Sequence, residues 1–157
     1  HDFLNPSEPD INVIAHSLAN LNRWCGHTSK PFSVAQHSVL VSYLVPKCYA
    51  LEALLHDAPE AYLGDVASPL KKLLPDYTRL EEIQWEAVCA KFGTPQVLHP
   101  EVIHADKVAL CLENEMLREG NDMGLKVTAI HRAAWLHVPD YDNGKQAFLA
   151  RFKELWT

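Results

Sequence analysis

Four ionisable side chains stand where the sequence is otherwise apolar: His37 in VAQHSVL, His56 and Asp57 closing LEALLHD, and Asp106 in VIHADKVALCL. Imidazole nitrogen and carboxylate oxygen bind divalent zinc, manganese or cobalt at about 2.0–2.2 Å. Neighbours on a helix project about 100° apart, so His56 and Asp57 do not share a face, yet both can reach an ion lying between their directions. Singly, each residue has an ordinary explanation. A histidine on an apolar helix is more often a hydrogen-bonded core residue than a ligand, His–Asp pairs occur by chance, and Asp57 with Glu60 fits a D-x-x-E capping box around Pro59. Burying all four together without a cation, however, carries a large desolvation cost. Their joint placement on core helices favours a metal.

The elements that must carry these groups read as helices, in one domain of 157 residues. Ile11, Ile14, Ala15, Leu18 and Leu21 recur at helical spacing, which predicts a helix from Ile11 to Trp24 closed by Gly26. Ser33 caps a second over Val34–Leu44, and a third covers Tyr49–His56. Pro59 marks a break or a new first turn. After a loop from Ser68 to Pro75, Asp76 is expected to cap a long amphipathic helix reaching Phe92, stopped by Gly93 and Pro95. Pro100–Arg118 and Lys145–Trp156 supply two more, and Leu125–Val138 reads as mostly irregular with a short helix. Strand alternation is nearly absent, so the expected fold is all-α, with a core over about residues 11–120 and a helical extension over 121–157.

The totals narrow the function. A net charge of −6 argues against a nucleic-acid polymer as partner, though not against a small phosphate ligand met by local positive charge or a metal. No apolar run approaches membrane-spanning length and the first residues lack a secretory layout. The expectation is a cytoplasmic protein of a bacterium or a phage-infected host. Cys25, Cys48, Cys89 and Cys111 form no CxxC pair and are expected as buried free thiols.

The order His37, then His56-Asp57, then Asp106 resembles the H…HD…D signature of the HD-domain metal-dependent phosphohydrolases. The surrounding residues sharpen it: N-R-W at Asn22–Trp24, A-Q-H-S at Ala35–Ser38, and H-D-A-P-E-A-Y-L-G-D at His56–Asp65 are similar to the HD-type 5′-deoxynucleotidases and to phage dATP triphosphohydrolases. The interval between His37 and the HD pair is shorter than in the bacterial nucleotidases. The resemblance spans roughly residues 11–110. It implies a metal (zinc, cobalt or manganese, with magnesium a further option) held by His37, His56, Asp57 and Asp106. It implies Glu60 near the attacking water and Asp65 near the leaving group, with Arg23 on phosphate and Trp24 against the sugar or base. It also implies a homo-oligomer.

The activity implied is hydrolysis of the 5′ phosphoester of deoxynucleotides, deoxyadenosine nucleotides favoured, releasing nucleoside with phosphate or triphosphate. Glu60 would orient the water or take its proton, and Asp65 would protonate the departing 5′ oxygen. Arg23 offers a planar fork for two phosphate oxygens. Lys71, Lys72, Lys107 and His27 are further substrate-binding candidates, each with a solvated or turn-forming alternative. The competing readings are a phosphodiesterase or guanosine-tetraphosphate hydrolase, and a catalytically silent module that binds a nucleotide.

Overall fold

The computed structural model describes residues 2–118, 120 and 122–156. Among these the fold is all-α: α1 Ile11–Asn20, α2 Val34–Tyr43, α3 Ala50–Leu55, α4 Glu60–Leu63, α5 Ser68–Lys71, α6 Pro75–Phe92, α7 Pro100–Leu117, α8 Ala129–Ala134 and α9 Gly144–Leu155. No strand forms among the described residues, and Asn22 and Ser33 make an isolated antiparallel bridge. No described helix is long and apolar enough to cross a membrane.

The architecture turns on α2, which is buried from Val34 to Ser42. A helix buried on every face must be surrounded, and two apolar clusters pack against it. Val34, Ala35 and Val39 join Ile14 and Leu18 of α1, Leu54 and Leu55 of α3, and Phe148 and Phe152 of α9. Leu40 and Val41 join Ala53 with Val102, Ala105, Val108, Ala109 and Leu112 of α7. His37 therefore lies at the middle of the molecule, fully buried.

Local chemistry sets the start of α2. Ser33 Oγ accepts from the Gln36 N–H at 3.2 Å while Gln36 Oε1 accepts from the Ser33 N–H at 2.8 Å, a reciprocal cap. Ser33→Ala is expected to cost about 1–2 kcal/mol, the upper part of the range for caps because the freed Gln36 N–H is buried. It should appear as a lower urea midpoint at unchanged slope.

Several boundaries differ from those read in the sequence. The first helix stops at Asn20 rather than Trp24, because Leu21 and Asn22 turn extended. There they pair with the chain entering α2, through Arg23 N to Phe32 O at 2.9 Å and Val34 N to Leu21 O at 2.9 Å. The loop before α6 contains α5. Pro75, not Asp76, opens α6, and Asp76 lies in its first turn without capping. The stretch 125–138 is more ordered than expected: Thr128 and His131 form a reciprocal cap for α8, which runs on into a single 3-10 turn at Trp135–His137. All four cysteines are free, but Cys25 and Cys48 are exposed while Cys89 and Cys111 are buried. Cys25 is carried outward by the turn that follows Asn22, and Cys48 lies on a surface 3-10 turn.

Candidate metal and phosphate site

Three helices bring the ligand candidates together. His37 comes from the middle of α2, His56 from the C-terminal cap of α3, Asp57 from the turn after it, and Asp106 from the second turn of α7. The Nε2 atoms of His37 and His56 face one another at 3.3 Å. Asp106 Oδ1 is 3.1 Å from His37 Nε2 and 3.9 Å from His56 Nε2. Ligand atoms of these three residues all lie within 4.8 Å of one another. Asp57 Oδ2 stands 3.5 and 3.3 Å from the same two nitrogens. Two ligands each about 2.1 Å from a tetrahedral ion are about 3.4 Å apart, so the spacing suits a cation at the centre. The capping box that offered an ordinary explanation for Asp57 and Glu60 does not form: Pro59 is the N-cap of α4, which has no side-chain cap.

The tautomers are fixed by what lies behind the rings. His56 Nδ1 is 2.8 Å from the Ala53 carbonyl, which can only accept. His37 Nδ1 is 2.5 Å from Glu113 Oε1. Both outer nitrogens therefore donate, and each ring, when neutral, presents its Nε2 lone pair to the cluster, the arrangement a metal-binding histidine needs. Two lone pairs facing at this distance repel unless a proton or a metal ion lies between them. Burial and the Arg23 charge push His37 down, but Glu113 and Asp106 outweigh them and bring it up to about 9. Asp106 moves the opposite way: burial raises it, and its bond to His37 with the nearby His37, His56 and Arg23 charges takes it well below the carboxylate range. The donor set attracts positive charge and fits a divalent ion. Access is one-sided: His37 and His56 side chains are 0% and 6% exposed, whereas Asp57 and Asp106 are 18% and 44% exposed.

That open side meets a cavity of about 340 Å³ whose lining includes Asp57 and Asp106, Arg23, Trp24, Glu60, Asp65 and Lys71. Gly64 ends α4 at φ 86°, ψ 159°, a conformation nearly confined to glycine, and this turns Asp65 into the lining. The Gly64 carbonyl accepts from the Tyr77 hydroxyl at 2.7 Å. Glu60 is buried and its Oε2 has no hydrogen-bond partner. Burial, then the Asp57 and Asp65 charges, push it up to about 10. Burial raises Asp65 too, against the Arg23 charge. Lys71 Nζ binds Glu81 at 2.6 Å and lies 3.9 Å from Glu60 Oε1.

Arg23 sits at the edge of the cluster, Nη1 3.8 Å from Asp57 Oδ2. Burial opposes its charge, but Glu113 and Asp57 overcome this and raise it further, so it stays a cation. Trp24 and Cys25 adopt left-handed backbone at φ 58° and φ 50°. Each such non-glycine residue costs roughly 1–3 kcal/mol and persists only where its surroundings hold it. Trp24 also walls a second cavity of about 700 Å³ that His27 and Arg118 line. The Arg118 guanidinium stands 4.4 Å from its ring centroid.

The structure thus gathers His37, His56, Asp57, Asp106, Glu60, Asp65, Arg23, Trp24 and Lys71. It does not bring in the other three. His27 is exposed and faces the second cavity, and Lys72 and Lys107 are exposed and line neither. The residue that sequence reasoning missed is Glu113. It is fully buried, and besides His37 it accepts from Arg23 Nε and Trp24 Nε1, both at 2.8 Å. Its signal was present: it lies seven residues after Asp106 on α7, two turns along the same face.

No family model matches the chain. Over 117 residues it is 48% identical to the uncharacterized protein YfdR of Escherichia coli (strain K12), a match covering 74% of this chain and 66% of that protein. Over 120 residues it is 40% identical to the uncharacterized protein RCAP_rcc00048 of Rhodobacter capsulatus, covering 69% of this chain and 61% of that one. A stretch of 146 residues is 30% identical to part of the hybrid PKS-NRPS synthetase tasS of Hapsidospora irregularis, but it amounts to 4% of that protein. The chain therefore spans less than two thirds of the length of the two bacterial proteins it matches.

Proposed function

We propose that the chain is a divalent-metal-dependent phosphohydrolase of the HD-domain type, cutting the bond between the 5′ oxygen and the α-phosphorus of deoxynucleotides. One observation carries the reading: two fixed imidazole nitrogens and the Asp57 and Asp106 carboxylates converge at the wall of a cavity that also holds a half-buried cation, Arg23, and a buried carboxyl, Glu60. A zinc, cobalt or manganese ion held by His37, His56 and Asp106, with Asp57 as the fourth ligand, supplies Lewis acidity toward water and a phosphoryl oxygen.

The remaining work falls to the chain. Arg23 has committed Nε to Glu113, so its terminal nitrogens supply the donors for phosphate and for charge growing in the transition state. Glu60 keeps Oε2 unpartnered beside the cavity, where it orients the attacking water. Asp65, raised by burial, is the acid for the departing 5′ oxygen. Lys71 neutralises charge near Glu60 and extends the positive side of the pocket. The cavity is within the range of small-ligand sites.

The test is product analysis by HPLC after incubating metal-reconstituted protein with dATP and with dAMP. Deoxyadenosine is expected from both, accompanied by triphosphate or phosphate, and a chelator should abolish it. Pyrophosphate as product would overturn the bond assignment. Nucleotide binding without turnover would leave the silent module in its place. The homo-oligomer belongs to the same proposal and is checked by light scattering.

A further inference from the structure

Glu113 lies at the back of the cluster, touching one metal-ligand candidate with one oxygen and the phosphate arm with the other. Oε1 accepts a hydrogen bond from His37 Nδ1 at 2.5 Å; Oε2 accepts from both Arg23 Nε and Trp24 Nε1 at 2.8 Å. Side chains of consecutive residues ordinarily diverge in helix and in strand. Those of Arg23 and Trp24 converge on one oxygen where Trp24 takes left-handed backbone. We propose that Glu113 is a positioning residue that joins the two halves of the site, fixing the His37 ring for the ion and the Arg23–Trp24 pair for phosphate. The second half of this statement rests on the phosphohydrolase reading; the first rests on geometry alone.

The chemistry allows no neutral substitute. All three partners are N–H donors, and only a carboxylate offers two accepting oxygens. A glutamine in the same place must turn its NH₂ toward either His37 or the Arg23–Trp24 pair, setting donor against donor on one side or the other. Two donors, one of them the charged Arg23, compete for the amide oxygen against one, so the NH₂ is turned to His37, whose tautomer loses its acceptor; such outer partners are worth about 10–100-fold in metal affinity.

The test titrates metal-free protein with Co²⁺, following visible absorption, and then titrates the loaded protein with inorganic phosphate by calorimetry. Glu113→Gln is expected to bind Co²⁺ about 10–100-fold more weakly with a shifted visible band, and to bind phosphate more weakly. Glu115→Gln, on the same helix but paired with Arg132 at the exposed surface, should match the wild type. A role in packing alone would lower the melting temperature and leave the cobalt spectrum unchanged. Wild-type cobalt affinity and spectrum in folded Glu113→Gln therefore overturn the proposal. Should that variant not fold, Glu113→Asp keeps the charge but withdraws the oxygens by one methylene. It is expected to lose about tenfold or more in cobalt affinity, and wild-type behaviour there overturns the proposal equally. A wild type that takes up no Co²⁺ also overturns it. Wild-type protein that binds cobalt and phosphate yet leaves deoxynucleotides intact sinks the hydrolase reading and spares the Glu113 role.

Discussion

His56→Ala is expected to bind Co²⁺ or Mn²⁺ more than 100-fold more weakly and to bring deoxynucleotide hydrolysis to background. Loss of an outer partner costs about 10–100-fold, and a direct ligand should cost more. His56 is the cleanest ligand candidate to remove, because its other nitrogen bonds to the Ala53 carbonyl, and a vacated carbonyl at a helix end is readily met by water. His37→Ala would additionally strip a fully buried carboxylate of a donor and so mix stability with ligation. Asp57→Ala should weaken metal as well, and would free Arg23 of one of its two acids. Metal analysis of the purified variants, with circular dichroism to show intact helices, reads the effect. Stoichiometric metal at the wild-type rate in His56→Ala would reject the ligand assignment. His104→Ala, an exposed residue two positions from Asp106, is the control and should change nothing.

Glu60→Gln is expected to retain metal and to lower kcat by about 10²–10⁴-fold, the range of a positioned acid or base. A change confined to KM would reassign Glu60 to substrate binding. The same substitution has a stability signature in the metal-free protein. Glu60 titrates near 4.5 when unfolded and is pushed up to about 10 in the fold, mainly by burial. Between these values the native state holds a proton that the unfolded state has lost, so stability falls as pH rises through the window. The contribution is complete below the unfolded value and gone above about 10. Glutamine carries no such proton. Its unfolding curves should lose that part of the downward slope, making the variant more stable than wild type at alkaline pH. Parallel slopes in urea titrations at pH 5, 7 and 9 would show that Glu60 is not held as an acid.

Much of this was legible because it was local. Ser33 followed three residues later by Gln36, Gly93 after Phe92, and Pro100 opening α7 are contacts made within one turn, and each marked its boundary. The ligand candidates were visible because charge inside an apolar helical run is costly and so conspicuous. What stayed hidden was decided by distant partners. Nothing in NRWC announces that Trp24 will go left-handed, since the cause includes pairing of residues 21–23 with 32–34 and an acid 89 positions away. Glu113 was passed over despite its spacing from Asp106, because ENE at the end of a helix reads as a solvated charge run. Lys72 and Lys107 were singled out by proximity in sequence to a site residue, which does not set the face a side chain takes; both are exposed and neither lines the cavity beside the cluster.

The place of α9 has a consequence for how the protein is made. Every candidate donor, and Glu113 with them, has left the ribosome once α7 is out. Yet α2, which carries His37, is covered in part by Phe148 and Phe152 of α9. A chain lacking that cover leaves part of this buried helix open to water. On the proposed metal reading, removing residues 144–155 is expected to weaken ion binding without touching one of the candidate donors.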